Sequence, residues 1–171
     1  MHLEVKKEKF IKNGKESVKT SSKLIFPRYH QLDVVRKLVE DVRQKGSGEN
    51  YLIQHSAGSG KSNSIAWLAY HLASLHNEDN ESIFTSVIVV TDRTVLDRQL
   101  QQTISSFDHT TGLVETIDDK KTSKDLRDAI NNGKRIIITT LQKFPVIYEE
   151  VEVNKGSRFA VIVDEAHSSQ T

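Results

Sequence analysis

His55-Ser56-Ala57-Gly58-Ser59-Gly60-Lys61-Ser62 decides how the rest of the chain is read. Gly58 and Gly60 let backbone N–H groups converge on an anion, and the stretch that follows, 61–75, sets Ile65, Leu68, Ala69 and Leu72 on one helical face. The positive end of such a helix strengthens the attraction. In front of the loop, residues 51–54 (Tyr-Leu-Ile-Gln) form a short apolar run that reads as a strand. A strand, a phosphate loop and a helix are therefore expected. In that reading Ala57, Gly58, Ser59 and Gly60 cradle the phosphates of ATP. Lys61 reaches the β- and γ-phosphates, and Ser62 places its hydroxyl on Mg²⁺. His55 stands where the pattern has its first glycine, so the cradle rests on Gly58 and Gly60. The bland alternative is a glycine-rich helix start that binds nothing; a buried strand before it and an amphipathic helix after it argue against that.

Outward from this loop the chain alternates. Residues 86–91, 135–140 and 159–164 are continuous β-branched runs, as in strands buried on both faces. Helices are expected over 27–44, where Val35, Leu38, Val39 and Val42 recur at helical spacing, over 94–106 (Leu96, Leu100, Ile104), and over 123–130 with Ser123 as N-cap. The alternation implies an α/β domain with a mostly parallel sheet, whose ligands bind at the carboxyl ends of the strands.

The last of these strands delivers Asp164 and Glu165 at its end. Asp164 suits Mg²⁺, held through water, and Glu165 can orient and deprotonate the water that attacks the γ-phosphorus. One helix upstream of the loop, Gln31 offers a side-chain amide that matches the N6 donor and N7 acceptor of adenine, and Tyr29 can stack on the base or join the core. The segments 91–94, with Arg98 beyond, and 139–143 both follow strands. Their hydroxyl, amide and cationic groups (Thr91, Arg93, Thr140, Gln142, Lys143) suit either DNA phosphate contacts or plain capping and solvation.

Composition narrows the field further. The chain has 171 residues, 36% hydrophobic and 27% charged, which is about one globular domain. It has no cysteine, so disulfides and thiolate chemistry are excluded, and its seven histidines lack metal-ligand spacing. No apolar run is long enough to span a bilayer and no signal-peptide core follows Met1, so a cytoplasmic location is expected. The net charge is +1, yet residues 1–25 carry seven lysines against three glutamates. This basic stretch is a solvated arm or hairpin, or a phosphate contact. Asn13-Gly14 inside it is a hairpin turn signal.

The segments F-P-R-Y-H-Q (26–31), A-G-S-G-K-S (57–62), V-V-T-D-R-T-V-L-D-R-Q-L (89–100), I-T-T-L-Q-K-F (138–144) and V-D-E-A-H (163–167) together resemble the superfamily 2 helicase motor. More closely, they resemble the restriction (motor) subunit of type I restriction–modification enzymes. The resemblance covers 24–171 and implies an incomplete first RecA-like helicase lobe there, with 1–23 a basic arm or linker. It implies Gln31 as adenine reader, Lys61 and Ser62 as phosphate and Mg²⁺ ligands, and Asp164 and Glu165 as the hydrolytic pair. His167 becomes a coupler between lobes, and 91–93 and 140–143 become contacts to double-stranded DNA. The partners implied for the parent enzyme are DNA and the methylation and specificity subunits.

In the family a nuclease domain precedes this lobe and a second lobe follows; here the sequence stops just after His167. The strand carrying the family's third motif, which lies between the phosphate-loop strand and the D-E-A-H strand, is expected to be missing. Residues 51–54 and 159–164 are then expected to run parallel but unpaired, about two strand spacings (roughly 9–10 Å) apart. Two other functions stay open: another P-loop ATPase or kinase, and a non-catalytic remnant that retains the fold.

Overall fold

The computed structural model describes residues 2–12, 15–91, 94–106, 112–118, 120–143 and 156–164. Two units follow one another. The first is an antiparallel ribbon of β1 (His2–Lys12) and β2 (Lys15–Ile25), in full register from His2 opposite Ile25 to Lys12 opposite Lys15. Asn13 and Gly14, read as the turn, lie outside the described residues, and the register leaves those two residues between the strands.

The second unit is the α/β lobe. Its elements are α1 (Tyr29–Lys45), α2 (Lys61–Ala73), β3 (Ser86–Thr91), α3 (Thr94–Ser106), β4 (Val114–Thr116), α4 (Ser123–Asn131), β5 (Ile136–Thr140), a single 3-10 turn at Leu141–Lys143, and β6 (Phe159–Val163). The four strands are parallel, in the order β4-β5-β3-β6. This is an α/β fold of the RecA-like kind, with helices on both faces of the sheet.

Alternation along the central strands explains why their sequences lack it. Val87, Val89, Ile136 and Ile138 turn to one face and pack with Ala66, Leu68, Ala69 and Leu72 of α2, Leu100 and Ile104 of α3, and Val35 and Val42 of α1. Ile88, Val90 and Ile137 turn to the other and pack with Leu126, Ala129 and Ile130 of α4. Both faces being covered, every residue of β3 and β5 is buried. Each such Ile or Val contributes about 1.5–3 kcal/mol over an exposed one.

Three sequence expectations change. The cap of α4 is Thr122, one residue earlier than expected: its N–H and hydroxyl both donate to Asp125 Oδ2, at 2.7 and 2.8 Å. Those bonds hold the Asp125 carboxyl below its ordinary range. The short β4 was not foreseen, because three residues carry no readable period. Residues 51–54 do not form a strand. They are indeed unpaired with β6. A strand exists by its ladder, and nothing hydrogen-bonds this segment in one; Leu52 is 91% exposed. What fixes its start is the Tyr51 hydroxyl, which donates to Asp41 Oδ2 on α1 at 2.7 Å. Desolvation and the neighbouring carboxylate push the Tyr51 phenol up to about 12, so it stays a donor.

Beyond β3 the edge strand is β6. Val161 and Val163, on the α4 side by register with Ile88 and Val90, are exposed. An open strand edge with apolar neighbours is a surface that folded proteins ordinarily cover.

Arg135, just before β5, fixes the direction of α2. Its guanidinium donates to the carbonyls of Phe84 and Thr85 at 3.1 Å, just ahead of β3, and to the carbonyl of Ala73 at the end of α2. The C-terminus of α2 is thus pinned at the amino edge of the sheet. Thirteen residues of helix span about 20 Å. Six residues of strand span about the same. The other end of α2, at Lys61, therefore stands level with the carboxyl ends of the strands.

Candidate functional site

The carboxyl edge of the sheet gathers most of the residues picked out by their chemistry. Register aligns Thr91 with Thr140 and Val90 with Val163, so the ends of β3, β5 and β6 are level. Asp164 follows directly, its N–H bonded to the Val90 carbonyl at 2.9 Å. The glycine loop meets this edge because α2 runs antiparallel to the strands.

Two features shape the loop. Gly58 and Gly60 both have positive φ, +71° and +85°, a region that costs a side chain roughly 1–2 kcal/mol. Gly60 is the N-cap of α2, and its carbonyl accepts from the N–H groups of Asn63 and Ser64 at 3.1 and 3.3 Å. The first turn of any helix has N–H groups without intrahelical partners. Here that turn begins at Lys61 and Ser62.

The start of α1 clamps the loop from outside. Gln31 is 3% exposed; its Nε2 donates to the Gly60 carbonyl at 2.8 Å, and its Oε1 accepts the Arg28 N–H at 2.8 Å. Next to it, His30 Nε2 bonds the Ser59 carbonyl at 3.1 Å. His30 also meets the ring of His55 edge-on, with centroids 5.3 Å apart. Gln31, His30, His55, Ser59 and Gly60 form one contact set, built across a sequence gap of 29 residues. Sequence reading assigns no role to His30; its only signal there is its place beside Gln31.

The donor set fits nucleotide and magnesium. The Ser59 hydroxyl is buried and has no hydrogen-bond partner among the described residues, an orphaned polar atom inside the loop. A hydroxyl at Ser62 and a carboxylate at Asp164 are oxygen donors suited to Mg²⁺, which takes few protein ligands and shares the rest with phosphates and water. Among the described residues there is no group of three or more His, Asp or Glu that could cage a metal. Glu165 and His167 lie outside the described residues, as does Arg93.

At the residues read as DNA contacts the geometry is less open. Thr91 and Thr140 are 3% and 6% exposed. The Lys143 ammonium donates to the carbonyls of Ile117 and Lys121, at 3.1 and 2.9 Å, and to that of Asp118. Its three N–H bonds are all used in tying the 3-10 turn to the loop before α4. Gln142 is exposed beside it. Tyr29, which could have been core, is 83% exposed at the head of α1, two residues from Gln31.

A glycine loop entering a helix at the carboxyl edge of a parallel sheet, opposite an acidic strand end, defines a nucleotide-binding α/β lobe. Residues 30–171 match the SWI2/SNF2 ATPase family, and the chain belongs to it. Over 150 residues it is 35% identical to the endonuclease subunit of the type I restriction enzyme HindI from Haemophilus influenzae, a match covering 83% of this chain. The chain spans 14% of that relative's length. Among the described residues no helix is long and apolar enough to cross a membrane.

Proposed function

We propose that this lobe binds ATP with Mg²⁺ and serves as a motor lobe of a type I restriction endonuclease, coupling ATP hydrolysis to translocation along double-stranded DNA. The observation that carries the reading is the clamp of Gln31 and His30 on 59–60, because it joins a base-reading amide to the loop that would hold the phosphates. The Gln31 amide has a second lone pair and a second N–H beyond those given to Arg28 and Gly60. Those two match N6 and N7 of adenine by type, and since Gln31 is buried the base reaches them only once the side chain is uncovered. Tyr29, exposed two residues earlier in α1, offers a stacking surface.

In this reading 57–60 and Lys61 hold the phosphates as a P-loop, and Ser62 and Asp164 hold the ion, which when bound neutralises phosphate charge. Glu165, from the D-E-A-H box, takes the proton of the attacking water, and His167 relays the event towards a second lobe. Arg93 and Gln142, with Thr91 and Thr140 after local rearrangement, contact the DNA backbone. The setting is cytoplasmic, with methylation and specificity subunits as partners of the whole enzyme. The alternatives are another P-loop ATPase or kinase and a nucleotide-binding remnant.

ATP hydrolysis measured with and without duplex DNA separates these readings, with Glu165→Gln in the complete enzyme as the companion variant. Turnover stimulated by duplex DNA and abolished in Glu165→Gln, with ATP still bound, is the expected result. Turnover indifferent to DNA points to the other ATPase classes; binding without turnover in the complete enzyme leaves the remnant.

One neutral hydrogen bond contributes about 0.5–1.5 kcal/mol. His30→Ala should therefore weaken ATP binding roughly 2- to 10-fold, with a fall in melting temperature of only a few degrees. Since His30 acts through the Ser59 carbonyl, the loss should be equal for ATP and GTP, and His30→Gln should restore most of it. A loss confined to ATP would assign His30 to the base instead.

A further inference from the structure

The β1–β2 ribbon is not used by the nucleotide site. Its two strands of 11 residues give a length of about 37 Å. Two-stranded ribbons on their own are marginal in water, so one this long calls for a partner. Its charges are not evenly spread along that length. At the base, positions 2–5 and 22–25 hold Glu4 opposite Lys23 among Leu3, Val5, Leu24 and Ile25, with no net charge, and Ile25 packs against the core of the lobe. The remainder, 6–21, carries six lysines (Lys6, Lys7, Lys9, Lys12, Lys15, Lys19) against Glu8 and Glu16.

Register shows how little of that charge is offset. Glu8 lies opposite Lys19, but Lys6 faces Ser21, Lys7 faces Thr20 and Lys9 faces Val18, while Lys12 and Lys15 face each other at the end. Like charges directly opposite destabilise an antiparallel pair. The sequence therefore sets like charges opposite each other at the Lys12–Lys15 end of the ribbon, and an anionic partner would remove that repulsion.

We infer that the β1–β2 ribbon is a docking surface for the phosphate backbone of duplex DNA, acting without nucleotide. Duplex is favoured over single strands on two grounds. A two-stranded ribbon fits the width of the major groove. Single-strand binding relies on aromatic stacking platforms, and the ribbon has one aromatic residue, Phe10. The inference rests on the motor reading only in choosing DNA among polyanions.

The test is anisotropy of a labelled 25-base-pair duplex with the full chain, without nucleotide, over a series of salt concentrations. Each phosphate contact contributes about −0.9 to the slope of log K against log salt. Replacing the six lysines of 6–21 by Gln should flatten the slope by about 2–4 and weaken binding at least 10-fold near 0.1 M salt. Lys12→Gln/Lys15→Gln, at the end of the strand pair opposite Ile25, should give part of the same change and guards against misfolding of the larger variant. Lys37→Gln and Lys124→Gln, on exposed helix faces, should leave the slope as it is. An unchanged slope in both ribbon variants overturns the inference, as does preference for single-stranded DNA, or a shift in oligomeric state in place of a shift in DNA binding. ATP affinity of the ribbon variants should equal that of the parent, so a fault in the nucleotide site shows separately.

Discussion

Lys61→Ala is expected to lower ATP affinity at least about 100-fold, close to 3 kcal/mol. Three facts set that size. Lys61 is the first residue of α2, directly after a left-handed Gly60, so its position is fixed by the turn that the loop must make. The end of α2 stands level with the carboxyl edge of the sheet, because Arg135 pins the opposite end to the amino edge. And a charge-assisted hydrogen bond contributes about 1.5–3 kcal/mol, more than any neutral contact in the loop could replace. Titration with a fluorescent ATP analogue measures the loss directly. Lys61→Arg tests whether charge alone suffices: it keeps the charge but presents a planar fork, so affinity between parent and Ala is expected. Parental affinity in Lys61→Ala would remove the phosphate site from 57–62, whatever the family.

The long elements were legible from sequence and the contacts between them were not. Ser86–Thr91 and Thr94–Ser106 stand where the sequence sets them, because continuous β-branched runs and a four-residue spacing of Leu96, Leu100 and Ile104 leave little choice. Residues 51–54 have the composition of a strand and are not one here. Composition reports what a segment can bury, whereas a ladder needs a neighbour, and neither β3 nor β6 supplies it. Lys143 shows the converse. Its side chain suits a phosphate by type, but three carbonyls converge on it from a loop more than twenty residues earlier in the chain. A local pattern has no access to that convergence. The candidate loop is legible for a different reason: its glycines, a lysine and a hydroxyl are consecutive, so their geometry is local. The clamp by His30 and Gln31 spans 29 residues and is not legible locally: the sequence marks Gln31 for adenine and gives His30 no role.

That clamp yields the second large effect. A Cβ at Gly60 would lie 2.6 Å from Gln31 Nε2, closer than real contacts allow, and the backbone there has φ +85°. Gln31 cannot yield cheaply, since it is buried and bonded at both ends of its amide. Gly60→Ala must therefore accept about 1–2 kcal/mol of backbone strain and also push Gln31 off the Gly60 carbonyl, which costs about 1 kcal/mol more. ATP affinity is expected to fall roughly 30-fold or more. The two parts separate in a double-mutant cycle. Gln31→Ala removes the side chain that the new methyl would strike, so Gly60→Ala should cost less in that background by about 1 kcal/mol, while the strain part persists. Nucleotide titration of the four proteins gives the coupling. Strict additivity would mean that Gln31 does not hold the loop, and would leave the positive φ of Gly60 as the whole reason for glycine at that position.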